Sequence, residues 1–335
     1  MNTPKPWQLW QEGQLDLASL TPAAARQRYR AFTKDRAGDL TTLSPVTLQE
    51  SADGQTTKGL FKLRDGREIE AVLMRHQGRR NTVCVSSQAG CAFRCAFCAT
   101  GQGGLSRSLS SLEILEQVLY FDRQLEKAEA RVTNVVFMGM GEPFHNFEAV
   151  RDAIAMLCDE SGLSLSRRHV TVSTVGLVPE IERFVKEAIG AHLAVSLHAP
   201  TDPQRSRLMP INDRYPLDVL IPACRSYADE TGRKVFFEYL LLRDFNDRTD
   251  DAIALARLLA DGPYHVNLIP YNPTPGDPWQ RSDDEQVQRF HASLREAGLA
   301  ATVRFPMGRD ITAACGQLQA MTQPRLNGSL ERLKP

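Results

Sequence analysis

The sequence predicts an α/β protein in which six βα units form a partial, open TIM-like barrel, preceded by a small N-terminal α+β unit. Three observations predict this. From residue 82 onward, short apolar runs alternate with longer amphipathic ones, and strands alternating with helices imply a parallel sheet with helices packed outside it. Six such units are too few for the closed eight-stranded barrel, so a partial barrel is the economical solution. The densest cluster of reactive residues, Cys91, Cys95 and Cys98, follows the first of these strands. Loops after strand C-termini are where such barrels keep their active sites.

Residues 1–45 read as helical and polar, with Leu17, Leu20 and Ala24 at helical spacing. Thr21 before Pro22 is a helix start, which would put both leucines ahead of that helix. Between residues 43 and 73 the pattern turns to short strands, with a turn signal at Asp65–Gly66. Residues 1–75 are therefore expected to be an accessory unit of helices followed by a β-ribbon, with 76–306 as the core and 307–335 as a tail. Within the core, strands are predicted at 82–86, 132–138, 170–174, 192–197, 234–242 and 265–269. Helices are predicted at 111–127, 147–159, 179–188, 216–231 and 249–259, then a last long helix at 282–297 and a last short strand at 302–305. Ser110 and Glu113 have capping-box spacing for the first core helix.

The chain has 335 residues, 42% hydrophobic and 24% charged, ordinary for a globular protein. It contains no apolar run of roughly 18 residues, the length a membrane-spanning helix needs. Its first residues, Met1 to Trp7, lack the apolar stretch of a signal peptide. Seven cysteines, three of them clustered, fit a reducing cytoplasm better than a disulfide scaffold. The formal net charge is zero, so composition alone does not favour a nucleic-acid partner. Basic clusters at 75–80, at Arg167, Arg168 and His169, and at Arg205 with Arg207 read as solvated surface.

The run CAFRCAFC places Cys91, Cys95 and Cys98 at CxxxCxxC spacing. A four-iron cluster normally takes four thiolates. Three leave one iron open, and an open coordination site marks chemistry rather than structural support. The plainer readings are a zinc knuckle completed elsewhere or three unrelated buried thiols. Zinc sites usually pair CxxC with a distant CxxC or HxxxH, and neither is present. The spacing resembles the signature of radical S-adenosylmethionine (SAM) enzymes. The longer string CVSSQAGCAFRCAFCATG, from Cys84 to Gly101, is similar to one branch of them, the RlmN/Cfr RNA methyltransferases. The resemblance runs from about Glu70 to about Leu318. It implies the radical SAM type of partial barrel, a 4Fe–4S cluster on Cys91, Cys95 and Cys98, and SAM as substrate and cofactor.

Further motifs fall at successive strand ends. Gly139-Met-Gly141-Glu142-Pro143 follows the second core strand. Taken alone it is a strand-ending turn with a solvated glutamate. The glycines would let backbone approach a ligand closely, and Glu142 offers a carboxylate to an ammonium group. By resemblance it corresponds to the GGEP element that contacts the amino group of SAM. Ser173, the run Ser196, Leu197 and His198, and Asn272 end the third, fourth and sixth strands. Singly each is an ordinary strand-end residue, and the resemblance places them around the ribose, carboxylate and adenine of SAM.

Cys84 and Cys315 discriminate this branch. Free cysteine is among the most buried residue types, and that reading suits Cys158 and Cys224, which lie in helical patterns. Cys315, in the run AACGQ, lies in a loop among small neighbours that leave its sulfur accessible. The resemblance implies that Cys315 takes a methyl group from one SAM. A radical made from a second SAM then activates that methyl, and the resulting carbon adds to C2 or C8 of adenine. Cys84 releases the product by forming a disulfide with Cys315. Direct displacement fails at those carbons because they are not nucleophilic, whereas a thiolate accepts a methyl. Glu70, in the run IEAVL, reads as the polar face of a half-buried strand. The family has a glutamate there, proposed as the proton acceptor. Expected partners are an RNA substrate, 23S ribosomal or transfer RNA, and an electron donor such as flavodoxin or ferredoxin. C2 is favoured over C8. The rival readings are a radical SAM enzyme acting on a small molecule or protein, and a catalytically retired RNA-binding relative.

Overall fold

The computed structural model describes residues 4–13, 20–77, 80–273, 278–304 and 307–318. Leu17 of the first apolar pattern, Gly78 and Arg79 of the first basic cluster, Phe305 of the last predicted strand and the tail from 319 to 335 lie outside the described residues. The chain opens with α1 (Pro6–Glu12) and α2 (Pro22–Thr33). The Thr21 side chain accepts from the Ala24 amide and Pro22 occupies the first turn, so α2 begins where sequence placed its start, with Leu20 ahead of it. Trp10 packs on Tyr29 and Phe32, and the Tyr29 hydroxyl donates to the Met156 carbonyl at 3.0 Å, tying the pair to the core.

Three antiparallel strands follow: β1 (Leu43–Glu50), β2 (Thr56–Leu63) and β3 (Glu68–Arg75). Gly66 sits at φ +84° in the turn between β2 and β3, a conformation that favours glycine. β3 then pairs antiparallel with β4 (Asn81–Cys84). A two-stranded ribbon, β5 (Gln88–Gly90) and β6 (Leu105–Ser108), encloses the cysteine loop and the single-turn α3 (Ala99–Gln102). The rest alternates: α4 (Ser111–Leu125), β7 (Asn134–Phe137), α5 (Phe147–Leu157), β8 (Val170–Thr174), α6 (Val178–Lys186) and β9 (His192–Ser196). Then come α7 (Asp202–Leu208), α8 (Leu217–Thr231), β10 (Val235–Leu241), α9 (Thr249–Leu258), β11 (Tyr264–Pro270), α10 (Asp284–Glu296) and β12 (Ala301–Val303).

β4, β7, β8, β9, β10, β11 and β12 run parallel, in that spatial order. β1, β2 and β3 extend the same sheet beyond β4, and β1 and β12 are its two edges, so the barrel is open. The short last strand anticipated from sequence supplies the seventh parallel strand. One face of the sheet buries a continuous apolar core with the helices, including Val83, Val135, Val172, Leu193, Phe237 and Leu268. At roughly 25 cal/mol per Å² of buried apolar area, that layer is the main stabilising term. The opposite, concave face carries Ser173, Ser196 and Glu238 and leads to the strand C-termini. Sequence did not anticipate α7 or the β5–β6 ribbon. Arg205, read there as solvated surface, is instead 0% exposed on α7.

Candidate active site

A cavity of about 980 Å³, open mouth included, lies at the C-terminal ends of the parallel strands. Cys91, Cys95 and Cys98 line it together with Gly141, Glu142, Ser173, Ser196, His198 and Cys315. Nine of the thirteen residues singled out in the sequence therefore meet in one space. Leu197, Asn272, Cys84 and Glu70 do not line the cavity, and all four are buried. Leu197 donates its amide to the Glu238 carbonyl at 3.0 Å, and Asn272 directly follows the lining residue Tyr271.

The cysteine loop is fixed by backbone hydrogen bonds. The Ala96 amide donates to Leu208, and the Cys91 amide to Gly104. The Ala99 amide donates to Gly316 at 2.9 Å, and the Thr100 hydroxyl to the Leu318 carbonyl at 2.5 Å. The loop is thus stapled to the segment that carries Cys315. The Phe97 ring meets His198 edge-on at 4.6 Å. Burial pushes the Cys91 thiol up to about 12 and holds Cys95 well above its ordinary value. Both must lose a proton to bind metal, so loading a metal here releases protons. Among the described residues no trio of His, Cys, Asp or Glu is gathered to hold a single metal ion. A four-iron cluster suits wider-set thiols, because each sulfur binds a different iron. The donor set fits that cluster: three thiols around one cavity leave one iron free for a ligand.

Glu142 comes after β7 on a tight turn that needs glycine. Gly141 has φ +96°, and a Cβ there would lie 2.4 Å from the Gln88 Cβ. Glu142 accepts from the Phe144 amide at 3.0 Å and the Val175 amide at 2.9 Å, one on each carboxylate oxygen. Burial nevertheless pushes it up to about 7, since backbone donors only partly offset desolvation. His198 accepts the Leu240 amide on Nδ1 at 3.1 Å, which places its ring proton on Nε2. Burial, then nearby Arg205, pushes it down to about 3, so the imidazole is neutral. Asn272 is 3% exposed, and neither side-chain amide atom has a partner among the described residues. An orphaned buried amide beside a cavity calls for a ligand.

Cys84 closes β4, opposite Val72 of β3 and Val136 of β7. Its thiol is raised first by burial and then by the neighbouring Cys315 thiol. Cys315 keeps solvent access, as sequence expected, yet sits deep enough among protein atoms for desolvation to raise it as well. Glu70 lies on β3 two residues before Val72 and so shares the sheet face of Cys84. Lys58 of β2 reaches it at 3.3 Å and also donates to the Thr312 carbonyl at 3.4 Å. Cys224 is buried in α8, while Cys158 is half-buried at the end of α5.

The roles of three residues were not anticipated from sequence. Lys58 joins Glu70 to the Cys315 segment. Arg205 clamps two strand ends, donating to the Val175 and Ser196 carbonyls at 2.7 and 3.2 Å. Glu238 lines the cavity and accepts from the Asn267 amide at 2.9 Å, while its second oxygen has no partner among the described residues. The available signal for Glu238 was an acid inside the apolar run VFFEYLL.

Residues 85–256 match the model of the radical SAM superfamily. A probable dual-specificity RNA methyltransferase RlmN of Moorella thermoacetica is 50% identical over 87% of this chain and 84% of its own. One from Chloroflexus aurantiacus is 46% identical over 94% and 85%. The crystal structure of a radical SAM methyltransferase from Sphaerobacter thermophilus superposes with a TM-score of 0.88, at 44% identity, covering 94% of this chain and 96% of that one.

Proposed function

We propose, because this chain belongs to the RlmN family of radical SAM methyltransferases, that it methylates a ring carbon of adenine in RNA, C2 in preference to C8. The enzyme is SAM-dependent and uses a 4Fe–4S cluster. When bound and reduced, that cluster supplies the electron that splits SAM into methionine and a hydrogen-abstracting radical. Cys91, Cys95 and Cys98 would hold the cluster. Gly141, Glu142, Ser173, Ser196, Leu197, His198 and Asn272 would hold SAM, with Glu142 taking its ammonium group and the Asn272 amide gaining the partners it lacks.

The observation that carries the reading is that Cys84 lies within electrostatic reach of Cys315, which itself lines a cavity with three further thiols. Cys315 accepts a methyl group as its thiolate, breaking the sulfur–methyl bond of SAM and forming a thioether. After the activated carbon has joined the ring, the ring radical gives up one electron, which returns to the flavodoxin or ferredoxin couple that supplied it, and Glu70 takes the ring proton. Cys84, as its thiolate, then attacks the Cys315 sulfur: a sulfur–sulfur bond forms, the sulfur–carbon bond breaks with its electron pair on carbon, that carbon takes up the proton given up by Cys84 to become the methyl group, and the methylated base departs. A cytosolic dithiol returns the two electrons that reopen the disulfide. The enzyme would then work in the cytoplasm, where such dithiols are kept reduced. Among the described residues no helix is long and apolar enough to cross a membrane. Residues 1–75 would act as an accessory unit that contacts RNA, 76–306 as the catalytic core, and the remaining tail as the carrier of Cys315. The substrates would be 23S ribosomal RNA, transfer RNA or both, and the reductant flavodoxin or ferredoxin.

The test is to incubate the reduced, anaerobic enzyme with SAM and each RNA, then digest the RNA and weigh its nucleosides. Methyladenosine formed by the parent and lost in Cys315→Ala is the expected result. Reductive cleavage of SAM without any RNA methylation would overturn the RNA assignment.

A further inference from the structure

The concave face of the sheet has two halves with different chemistry. Pairing and alternation place Ser196, Glu238 and Asn267 in one row across β9, β10 and β11, and Ser196 and Glu238 line the cavity. Two residues earlier on β10 and β11 the same face presents Phe236 and His265, which are register partners, and β9 adds His192 four residues before Ser196. The His192 ring meets Phe236 edge-on at 5.6 Å, Phe236 meets His265 at 5.8 Å, and His265 Nε2 lies 2.9 Å from the Thr302 hydroxyl of β12. These three rings are half-buried. In a sheet covered on both faces they would be apolar and fully buried.

We propose that this cluster of His192, Phe236 and His265 is a stacking platform for the single-stranded RNA segment that carries the target base, a surface that rests on the RNA reading above. Charge supports that occupant. Arg304 stands at the junction of platform and cavity, 43% exposed, with its guanidinium 3.7 Å from Glu238. Its charge also reaches Cys315, His265 and His76, and Lys234, Arg233 and Arg80 act on the same group of imidazoles. Burial and these cations lower the proton affinity of His192 and His265, which favours the uncharged imidazole. Neutral rings interleaved with cations are the arrangement that binds single-stranded nucleic acid, stacking on bases while the cations track phosphates. Continuity with the cavity adds direction: a base displaced from this cluster moves past Arg304 and Glu238 to reach Cys315. The unpartnered Glu238 oxygen is positioned to accept from its exocyclic amino group.

Binding of a short fluorescein-labelled single-stranded RNA containing adenosine, followed by anisotropy on the cluster-loaded protein, tests this. Loss of one stacking ring typically weakens binding by roughly tenfold. Phe236→Ala and Phe236→Leu are each expected to bind the RNA about tenfold more weakly than the parent, with SAM binding unchanged. Phe236→Leu keeps apolar volume and carries the test should the alanine variant misfold. Both variants binding RNA within about twofold of the parent would overturn the platform while leaving the RNA reading intact. A parent protein that binds no RNA would overturn both.

Discussion

Glu142 is a carboxylate that its own protein only half satisfies. Two backbone amides face it, yet burial still raises it to about 7, where the charged and protonated forms are equally populated. The unfolded chain loses that proton near the ordinary value of 4.5. Between those values the folded ligand-free protein holds more protons than the unfolded one, so its stability falls as pH rises through this window. An ammonium ion binds the charged form. SAM affinity of the cluster-loaded enzyme is therefore expected to rise several-fold as pH increases from about 6 towards about 7.5, and titration calorimetry reads this directly. Glu142→Gln should bind SAM more weakly, with little dependence on pH. A parent affinity constant across that range would contradict the assignment. The cysteine triplet and the GMGEP run were legible because each is a local spacing. Glu238, Arg205 and Lys58 were not, because each acquires its role from a partner distant in sequence: Asn267, the Val175 and Ser196 carbonyls, and Glu70.

At the scale of elements, α4 illustrates what sequence carries well. Ser110 accepts from the Glu113 amide, and the Glu113 carboxylate accepts from the Ser110 amide, completing the box read from their spacing. Glu113 also receives Arg107 of β6 through two hydrogen bonds of 2.7 and 2.8 Å, and Arg107 pairs in turn with Asp65 of the β2–β3 turn. The helix start thereby anchors the ribbon that encloses the cysteine loop. Ser110→Ala is expected to cost about 1 kcal/mol, a fall of about 2 °C in Tm by scanning calorimetry for a protein of this size. An unchanged Tm would mean that Glu113 and Arg107 alone hold the terminus. α7 and the β5–β6 ribbon escaped because they are short: seven, three and four residues give hydrophobic periodicity too little length to declare itself.

For the whole molecule, the open sheet solves a problem of chain order. Cys84 ends the first parallel strand and Cys315 follows the last, yet the curvature of the sheet brings them together, and hydrogen bonds from Ala99 and Thr100 lock the cysteine loop to that final segment. Alternation along the chain announced the parallel sheet. The curvature that leaves one face concave and polar is a property of the assembled strands, so the cluster of His192, Phe236 and His265 could not be read from any one of them. The central claim is that two thiols act in sequence on one base, and it is tested most directly in Cys84→Ala expressed in cells. Without Cys84 the carbon bridge between Cys315 and the base should persist. Mass spectrometry of the digested protein should then find a nucleotide on the Cys315 peptide, and sequencing the attached RNA would identify the substrate. A Cys315 peptide that carries neither nucleotide nor methyl group, in protein whose cluster is intact, would contradict the account.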